Sequence, residues 1–126
     1  MNEKILVVDD ERLIRWTLSE ALRGWGYQTL EAANVRGARE IIETEHPSVT
    51  LLDINLPDGS GLDLLREIKT AHPDSVVIMI TANVLVDDTI AALRAGAYDF
   101  IGKPLDSQRL FERIEHFLQR KTAPDS

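Results

Sequence analysis

The chain has 126 residues, 44% apolar and 28% charged, with a formal net charge of −7 and no cysteine. This composition suits one globular domain, excludes a disulfide framework and thiol chemistry, and argues against direct binding to a nucleic acid backbone. The longest apolar run, Val76 to Ile80, is too short to cross a membrane, and Glu3 excludes a secretory signal peptide, so we expect a cytoplasmic domain.

Five short β-like runs alternate with five helical patterns along the chain. The predicted strands are Lys4–Val8, Tyr27–Glu31, Val49–Asp53, Val76–Ile80 and Tyr98–Gly102. Between them apolar residues recur at helical spacing, as Ile14, Leu18 and Leu22 do in the first helix. Such alternation predicts a doubly wound parallel sheet with helices on both faces, and the mixed second run suits an edge strand.

Residues that typically begin or end helices occur between the predicted elements and agree with this division. Asn34 and Ser107 are predicted helix N-caps, and Gly96 a helix stop. His-Pro pairs at positions 46–47 and 72–73 end the second and third helices. We expect one domain over residues 1–120, followed at 121–126 by the start of a linker in a longer protein.

Polar residues collect just after the strands, where open α/β sheets bind ligands. Asp9 and Asp10 follow the first strand, Asp53 ends the third, Thr81 follows the fourth and Lys103 follows the fifth. Each could have an ordinary role alone, as a turn residue, a helix cap or a surface lysine. Their occurrence at the same end of four different strands favours a common site instead.

The chemistry of this set favours phosphoryl transfer. Three carboxylates and one ammonium suit a hard divalent cation, Mg²⁺ above all, with Mn²⁺ also possible. Asp53 is central and could accept a phosphoryl group as an acyl phosphate. Lys103 and Thr81 could then contact the phosphoryl oxygens, since phosphoryl transfer requires mainly positioning and neutralisation of charge.

Four motifs, "VVDDE", "LLDINLPDGSG", "ITA" and "GAYDFIGKPLD", make the chain resemble the receiver domain of bacterial two-component response regulators. The resemblance covers about residues 3–120 and is greatest to receivers of enhancer-dependent, nitrogen-regulator-type transcription activators. It implies a flavodoxin-like fold with strand order 2-1-3-4-5. It also implies a domain that catalyses only its own phosphorylation and dephosphorylation.

The resemblance assigns roles to individual residues. Asp53 would be the phosphoacceptor, with Mg²⁺ held by Asp53, by Asp10 directly, by Asp9 largely through water and by the backbone carbonyl of Asn55. Thr81 would be the switch hydroxyl, and Lys103 would contact a phosphoryl oxygen. Pro104 would follow a cis peptide bond, and Phe100 would be the rotating aromatic residue.

The resemblance also implies partners. A sensor histidine kinase would donate the phosphoryl group, and an attached output domain or target protein would receive the signal. Phosphorylation could produce a homodimer through a face formed by the fourth helix, fifth strand and fifth helix. The charges expected on that face belong to Arg94, Asp99, Asp106, Arg109 and Arg113.

Two alternatives remain open from the sequence. One is a Mg²⁺-dependent phosphatase or phosphotransferase acting on small molecules, although Asn55 stands where such enzymes commonly have a second acid. The other is an interaction module that works without phosphorylation. His46, His72 and His116 show no ligand spacing, and we expect them to be surface or helix-capping residues.

Overall fold

The computed structural model describes residues 3–82 and 85–122 of the chain. In chain order its elements are β1 (Lys4–Val8), α1 (Arg12–Gly24), β2 (Gln28–Ala32), α2 (Val35–Glu45), β3 (Val49–Asp53), β4 (Asn55–Leu56), β5 (Gly59–Ser60), α3 (Gly61–Ala71), β6 (Val76–Thr81), α4 (Val86–Arg94), β7 (Asp99–Gly102) and α5 (Ser107–Thr122). No helix in this described part is long and apolar enough to span a membrane.

Five strands form the central parallel sheet in the order β2-β1-β3-β6-β7. The short strands β4 and β5 pair with each other as a separate antiparallel hairpin just after Asp53. When only the five strands of the central sheet are numbered, β6 and β7 become the fourth and fifth strands. The order is then the predicted 2-1-3-4-5, and the flavodoxin-like fold is confirmed. The sequence signal for the hairpin was limited to its Pro-Asp-Gly turn, so it was not predicted.

Each face of the sheet carries its own apolar core because successive strand side chains point to opposite faces. Ile5, Val7, Val49, Leu51 and Ile78 face α1 and α5. The intervening positions face α2, α3 and α4, and include Leu6, Val8, Leu52, Val77 and Met79. The three central strands are buried on both sides, whereas in β2 Gln28 and Glu31 are exposed and only Ala32 is buried. The expected edge position of the second strand is therefore confirmed.

Several predicted boundaries differ from the structure by one residue. The N–H of Tyr27 donates to the carbonyl of Leu22, so Tyr27 belongs to the turn after α1, and β2 begins at Gln28. Thr81 extends β6 because its carbonyl accepts a hydrogen bond from the N–H of Lys103. The last strand begins at Asp99, one residue later than expected.

The helix ends show one correct and one misplaced cap. Asn34 accepts a hydrogen bond from the N–H of Gly37 at 2.7 Å, as predicted. Ser107, however, is the first residue of α5, and the cap is the preceding Asp106, whose Oδ1 accepts from the N–H groups of Gln108 and Arg109. Residues 121 and 122 lie in α5, and residues 123–126 of the expected linker lie outside the described residues.

Candidate functional site

The strand alternation that builds the two cores also sorts the predicted site residues. Asp53 continues the series Val49 and Leu51, so its side chain lies on the α1/α5 side of the sheet. Asp9 and Lys103 continue the same alternation one residue beyond β1 and β7. Three charged groups from three strands therefore meet on one side, at the carboxyl edge of the sheet.

Lys103 is the centre of this charged cluster. Its Nζ lies 2.6 Å from Asp9 Oδ2 and 3.0 Å from Asp53 Oδ2, with Glu11 Oε1 farther away at 3.6 Å. The side chains of Lys103, Asp9 and Asp53 are only 8%, 3% and 8% exposed. Buried charges of this kind are tolerated only when they are paired.

The cluster shifts the pKa values of two of its members. Burial raises the pKa of Asp53, the hydrogen bond and charge of Lys103 oppose this rise, and the charge of Asp9 adds to it. Burial would lower the pKa of Lys103, but its contacts with Asp9 and Asp53 outweigh burial and raise it. Lys103 therefore stays charged, and Asp53 is more basic than an ordinary aspartate.

The loop that carries Asp9 is held by Arg15, a residue that sequence reasoning missed. Asp9 Oδ1 accepts a hydrogen bond from the N–H of Glu11 at 2.9 Å. Arg15 Nη1 donates to the backbone carbonyl of Asp9 at 2.7 Å, and its Nε lies 3.6 Å from Glu31 Oε1. Arginine on the first helix is an ordinary surface pattern, so no sequence signal marked this contact.

The segment after Asp53 is packed tightly against the strand. A Cβ atom on Gly61 would lie 2.0 Å from the carbonyl oxygen of Asp53, and the Gly61 N–H already donates to the carbonyl of Ile54. Only glycine fits there, which explains the glycine at the start of α3. The β4–β5 turn is tied to α2, because Asp58 accepts hydrogen bonds from the N–H groups of Val35 and Arg36.

The carboxylates fit a small divalent cation. Asp9, Asp10 and Asp53 each offer an oxygen, and these oxygens lie within 4.8 Å of one another. Oxygens bound to one octahedral Mg²⁺ are about 3–4 Å apart, so small adjustments would complete the set. Asp10 is exposed and thus accessible to an incoming ion. Asn55 donates its N–H to Asp53 Oδ1 at 3.4 Å, and the role of its carbonyl stays a prediction.

Two predicted switch residues lie on the other side of the sheet. Thr81 ends β6 and is 2% exposed. Phe100 is paired with Met79 in the sheet and is half-buried against the core that faces α2, α3 and α4. Tyr98 packs against the opposite core and contacts the ring of Phe117. The peptide bond between Lys103 and Pro104 is cis, as predicted.

The face formed by α4, β7 and α5 carries both charges and exposed apolar side chains. Arg113 Nε lies 3.0 Å from Asp99 Oδ2, so two of the charges predicted for this face form an ion pair. Val86, Ile90 and Leu93 on α4 and the N-cap residue Leu85 are 42% to 74% exposed. The sequence did not predict this apolar surface, because α4 has the weakest helical pattern of the five.

Residues 5–115 match the family described as the response regulator receiver domain. The chain is 46% identical over 112 residues to the response regulator protein PilR of Pseudomonas aeruginosa, covering 89% of this chain and 25% of PilR. It is 35% identical to sporulation initiation phosphotransferase F of Bacillus subtilis, covering 97% of this chain and 98% of that protein.

A solved structure is also similar. The receiver domain of NtrX from Brucella abortus superimposes with a TM-score of 0.85 at 39% identity, covering 91% of this chain and 98% of that one. The predicted resemblance to nitrogen-regulator-type receivers is thereby confirmed. The chain spans a quarter of PilR and about half of several other curated relatives.

Proposed function

The chain belongs to the response regulator receiver domain family, and on this premise we propose that it is a phosphorylation-dependent switch. Asp53 accepts a phosphoryl group from a phosphohistidine of a sensor histidine kinase. The modified domain then changes conformation and controls an attached or partner output that acts in transcription.

The proposed transfer uses Asp53 as the nucleophile. Its carboxylate oxygen forms a bond to phosphorus while the P–N bond of the phosphohistidine breaks, and the electron pair stays on the imidazole nitrogen. Hydrolysis reverses the modification: a water oxygen bonds to phosphorus, and the Asp53 carboxylate leaves. Because the chain itself performs both steps only on its own Asp53, it is not an enzyme for a separate substrate.

The proposed metal ligands are Asp9, Asp10, Asp53 and the backbone carbonyl of Asn55. When bound there, Mg²⁺ would neutralise charge shared by the carboxylates and the phosphoryl oxygens. Lys103 gives up its contact with Asp53 Oδ2 and binds a phosphoryl oxygen with the same ammonium. Its pairing with Asp9 holds the ammonium beside the acceptor before the reaction.

The conformational response passes through Thr81 and Phe100. The Thr81 hydroxyl moves toward the phosphoryl group, and Phe100 becomes more deeply buried against the core that faces α4. Moving a two-state equilibrium from 1:99 to 99:1 requires about 5.5 kcal/mol of differential stabilisation. The exposed apolar side chains of α4 belong to the face that we propose as the dimer or output surface.

One observation carries this proposal: the buried Asp53 carboxylate is contacted by Lys103 and lies beside Asp9 and Asp10. An isolated interaction module would not need three carboxylates at one sheet edge. A small-molecule phosphatase would need a second acid near Asp53, and Asn55 occupies the position two residues later.

The test is phosphorylation by a small-molecule acyl phosphate or phosphoramidate in the presence of Mg²⁺, followed by intact mass measurement. We expect a gain of one phosphoryl group that disappears with Asp53→Asn or after removal of Mg²⁺. Asp63→Asn is the matched control, because Asp63 is an exposed carboxylate paired only with Arg66 in the described residues.

Other outcomes would contradict the proposal. Wild-type protein that gains no phosphoryl group would favour an interaction module. Catalytic turnover of small phosphomonoesters that depends on Asp53 would favour the phosphatase alternative. A gain that persists in Asp53→Asn would place the acceptor elsewhere.

A further inference from the structure

A groove of about 330 Å³ lies at the amino edge of the sheet, opposite the charged cluster around Asp53. It is bordered by the C-terminal ends of α2 and α3 and by the residues that precede β3 and β6. The C-cap residues of the two helices are both histidines, His46 and His72. The fold therefore brings together two potential metal ligands that are separated by 26 positions in the sequence.

The two imidazole rings are in contact. Their centroids are 5.4 Å apart and their planes are inclined by 66°. Two imidazoles that bind one tetrahedral ion through nitrogens about 2.1 Å away have ring centroids about 5 Å apart. The separation of His46 and His72 is therefore compatible with a shared ion, and both residues occupy the helix-capping positions expected from the sequence.

A carboxylate lies beside the pair. Within the described residues, Nε2 of His72 is buried and makes no hydrogen bond, and Glu43 Oε1 lies 3.7 Å from it. That distance is too long for a hydrogen bond. It is close to the roughly 3.4 Å expected between a nitrogen and an oxygen that bind the same tetrahedral Zn²⁺. Glu43 lies in the last turn of α2 and His46 is the C-cap of the same helix, so both residues belong to the end of α2.

The ligand atoms of these three residues are not all within 4.8 Å of one another, unlike those of the acidic cluster. Because Glu43 and His72 are within this distance of each other, the longer distance must involve the ring nitrogens of His46. His46 is exposed, so its side chain can rotate toward the other two. Its backbone has φ 49° and ψ 60°, a left-handed conformation that non-glycine residues adopt uncommonly. The same conformation is frequent where helices end, so the C-cap position of His46 accounts for it.

We propose that His46, His72 and Glu43 form a binding site for Zn²⁺ or a similar first-row transition metal ion. Two imidazoles and one carboxylate are a ligand set that suits such ions better than Mg²⁺, which prefers oxygen ligands. A water molecule would take the fourth position. The ion would connect the C-terminal ends of α2 and α3 at the edge of the sheet remote from Asp53.

The experiment is a calorimetric titration of the whole chain with Zn²⁺ in excess Mg²⁺, which is added to compete for the acidic cluster. We expect one saturable Zn²⁺ site, with affinity reduced at least about tenfold in His46→Asn, His72→Gln and Glu43→Gln. Asparagine tolerates the left-handed conformation of His46, so His46→Asn should keep the melting temperature of the apo protein. His116→Ala is the matched control, since His116 is an exposed histidine on α5.

A second readout separates metal binding from a structural effect of the substitutions. On addition of Zn²⁺ to the wild-type chain, the imidazole NMR signals of His46 and His72 should shift, while that of His116 should not. The proposal is overturned if no saturable site is found, or if affinity is unchanged in His46→Asn and His72→Gln. It is also overturned if Asp10→Asn abolishes Zn²⁺ binding, which would place the ion at the acidic cluster.

Discussion

The two edges of the central sheet carry charges in very different surroundings. At the carboxyl edge, Asp9, Asp53 and Lys103 are almost completely buried and depend on one another. At the amino edge, the ion pair of Lys4 and Glu45 has side chains that are 37% and 41% exposed. Water screens the second pair, so it contributes little to stability, whereas removal of one partner from a buried cluster leaves an unpaired charge. Burial of charge at the carboxyl edge therefore has an energetic cost that only the full set of paired residues offsets.

The largest expected difference in stability between the two edges comes from the addition of one methyl group to a glycine. Gly61→Ala at the carboxyl edge places a Cβ 2.0 Å from the Asp53 carbonyl oxygen, and we expect the free energy of unfolding to fall by about 3 kcal/mol. The same change at Gly24, where α1 ends near the amino edge, meets no atom within 4 Å. Gly24→Ala should therefore be neutral or stabilising by up to about 1 kcal/mol, because alanine favours helix. Urea denaturation of both variants measures the difference, and equal effects would contradict the tight packing around Asp53.

Replacement of the lysine at each edge should have the next largest effect on the free energy of unfolding. Lys103→Met leaves Asp9 and Asp53 buried without a cationic partner, and we expect a loss of about 2 kcal/mol in the free energy of unfolding without divalent cations. Lys4→Met should cost less than about 0.5 kcal/mol. Added Mg²⁺ should stabilise Lys103→Met more than wild type, because the ion relieves the unpaired carboxylates. Thermal unfolding with and without Mg²⁺ tests this, and similar losses in the two variants would show that burial at the carboxyl edge is unimportant.

The smallest expected effect is on the pH dependence of stability. Hydrogen bonds from the N–H groups of Val35 and Arg36 lower the pKa of Asp58 in the folded state. Its stabilisation is therefore complete above the ordinary aspartate pKa, about 3.9, and is lost as the pH falls through the lower folded pKa. Asp58→Asn should be less stable than wild type at neutral pH, and the gap should narrow below about pH 4. Thermal unfolding across this range provides the measurement, with Asp63→Asn as control; a gap that widens in acid would reverse the predicted sign.

The fold was predictable because local signals agreed. Continuous apolar runs identified the central strands, and helical spacing identified the helices between them. The two-residue strands β4 and β5 were missed because pairs of that length have no periodicity. The N-cap of α5 was misplaced by one residue because Asp106 and Ser107 are both good caps, and only the backbone geometry distinguishes them.

The sequence predicted which residues form the candidate site, but not which residues contact one another. Parallel strands bring their carboxyl ends to one edge, so Asp9, Asp53 and Lys103 could be grouped from the sequence. The contact of Arg15 with the Asp9 carbonyl and the pairing of His46 with His72 were not predictable. Both depend on the rotation and relative position of helices, which the packing of the two cores decides.

Residue order alone was enough to predict the alternation of strands and helices, the order of the sheet through its resemblance, and the charged residues at the strand ends. These follow from local periodicity and from the short reach of the connections. The depth at which Lys103 is buried between Asp9 and Asp53 depends instead on three-dimensional packing, as does the lack of space for a side chain at Gly61. Burial and close contact arise between segments distant in the chain, and local sequence preferences do not specify the distances between them.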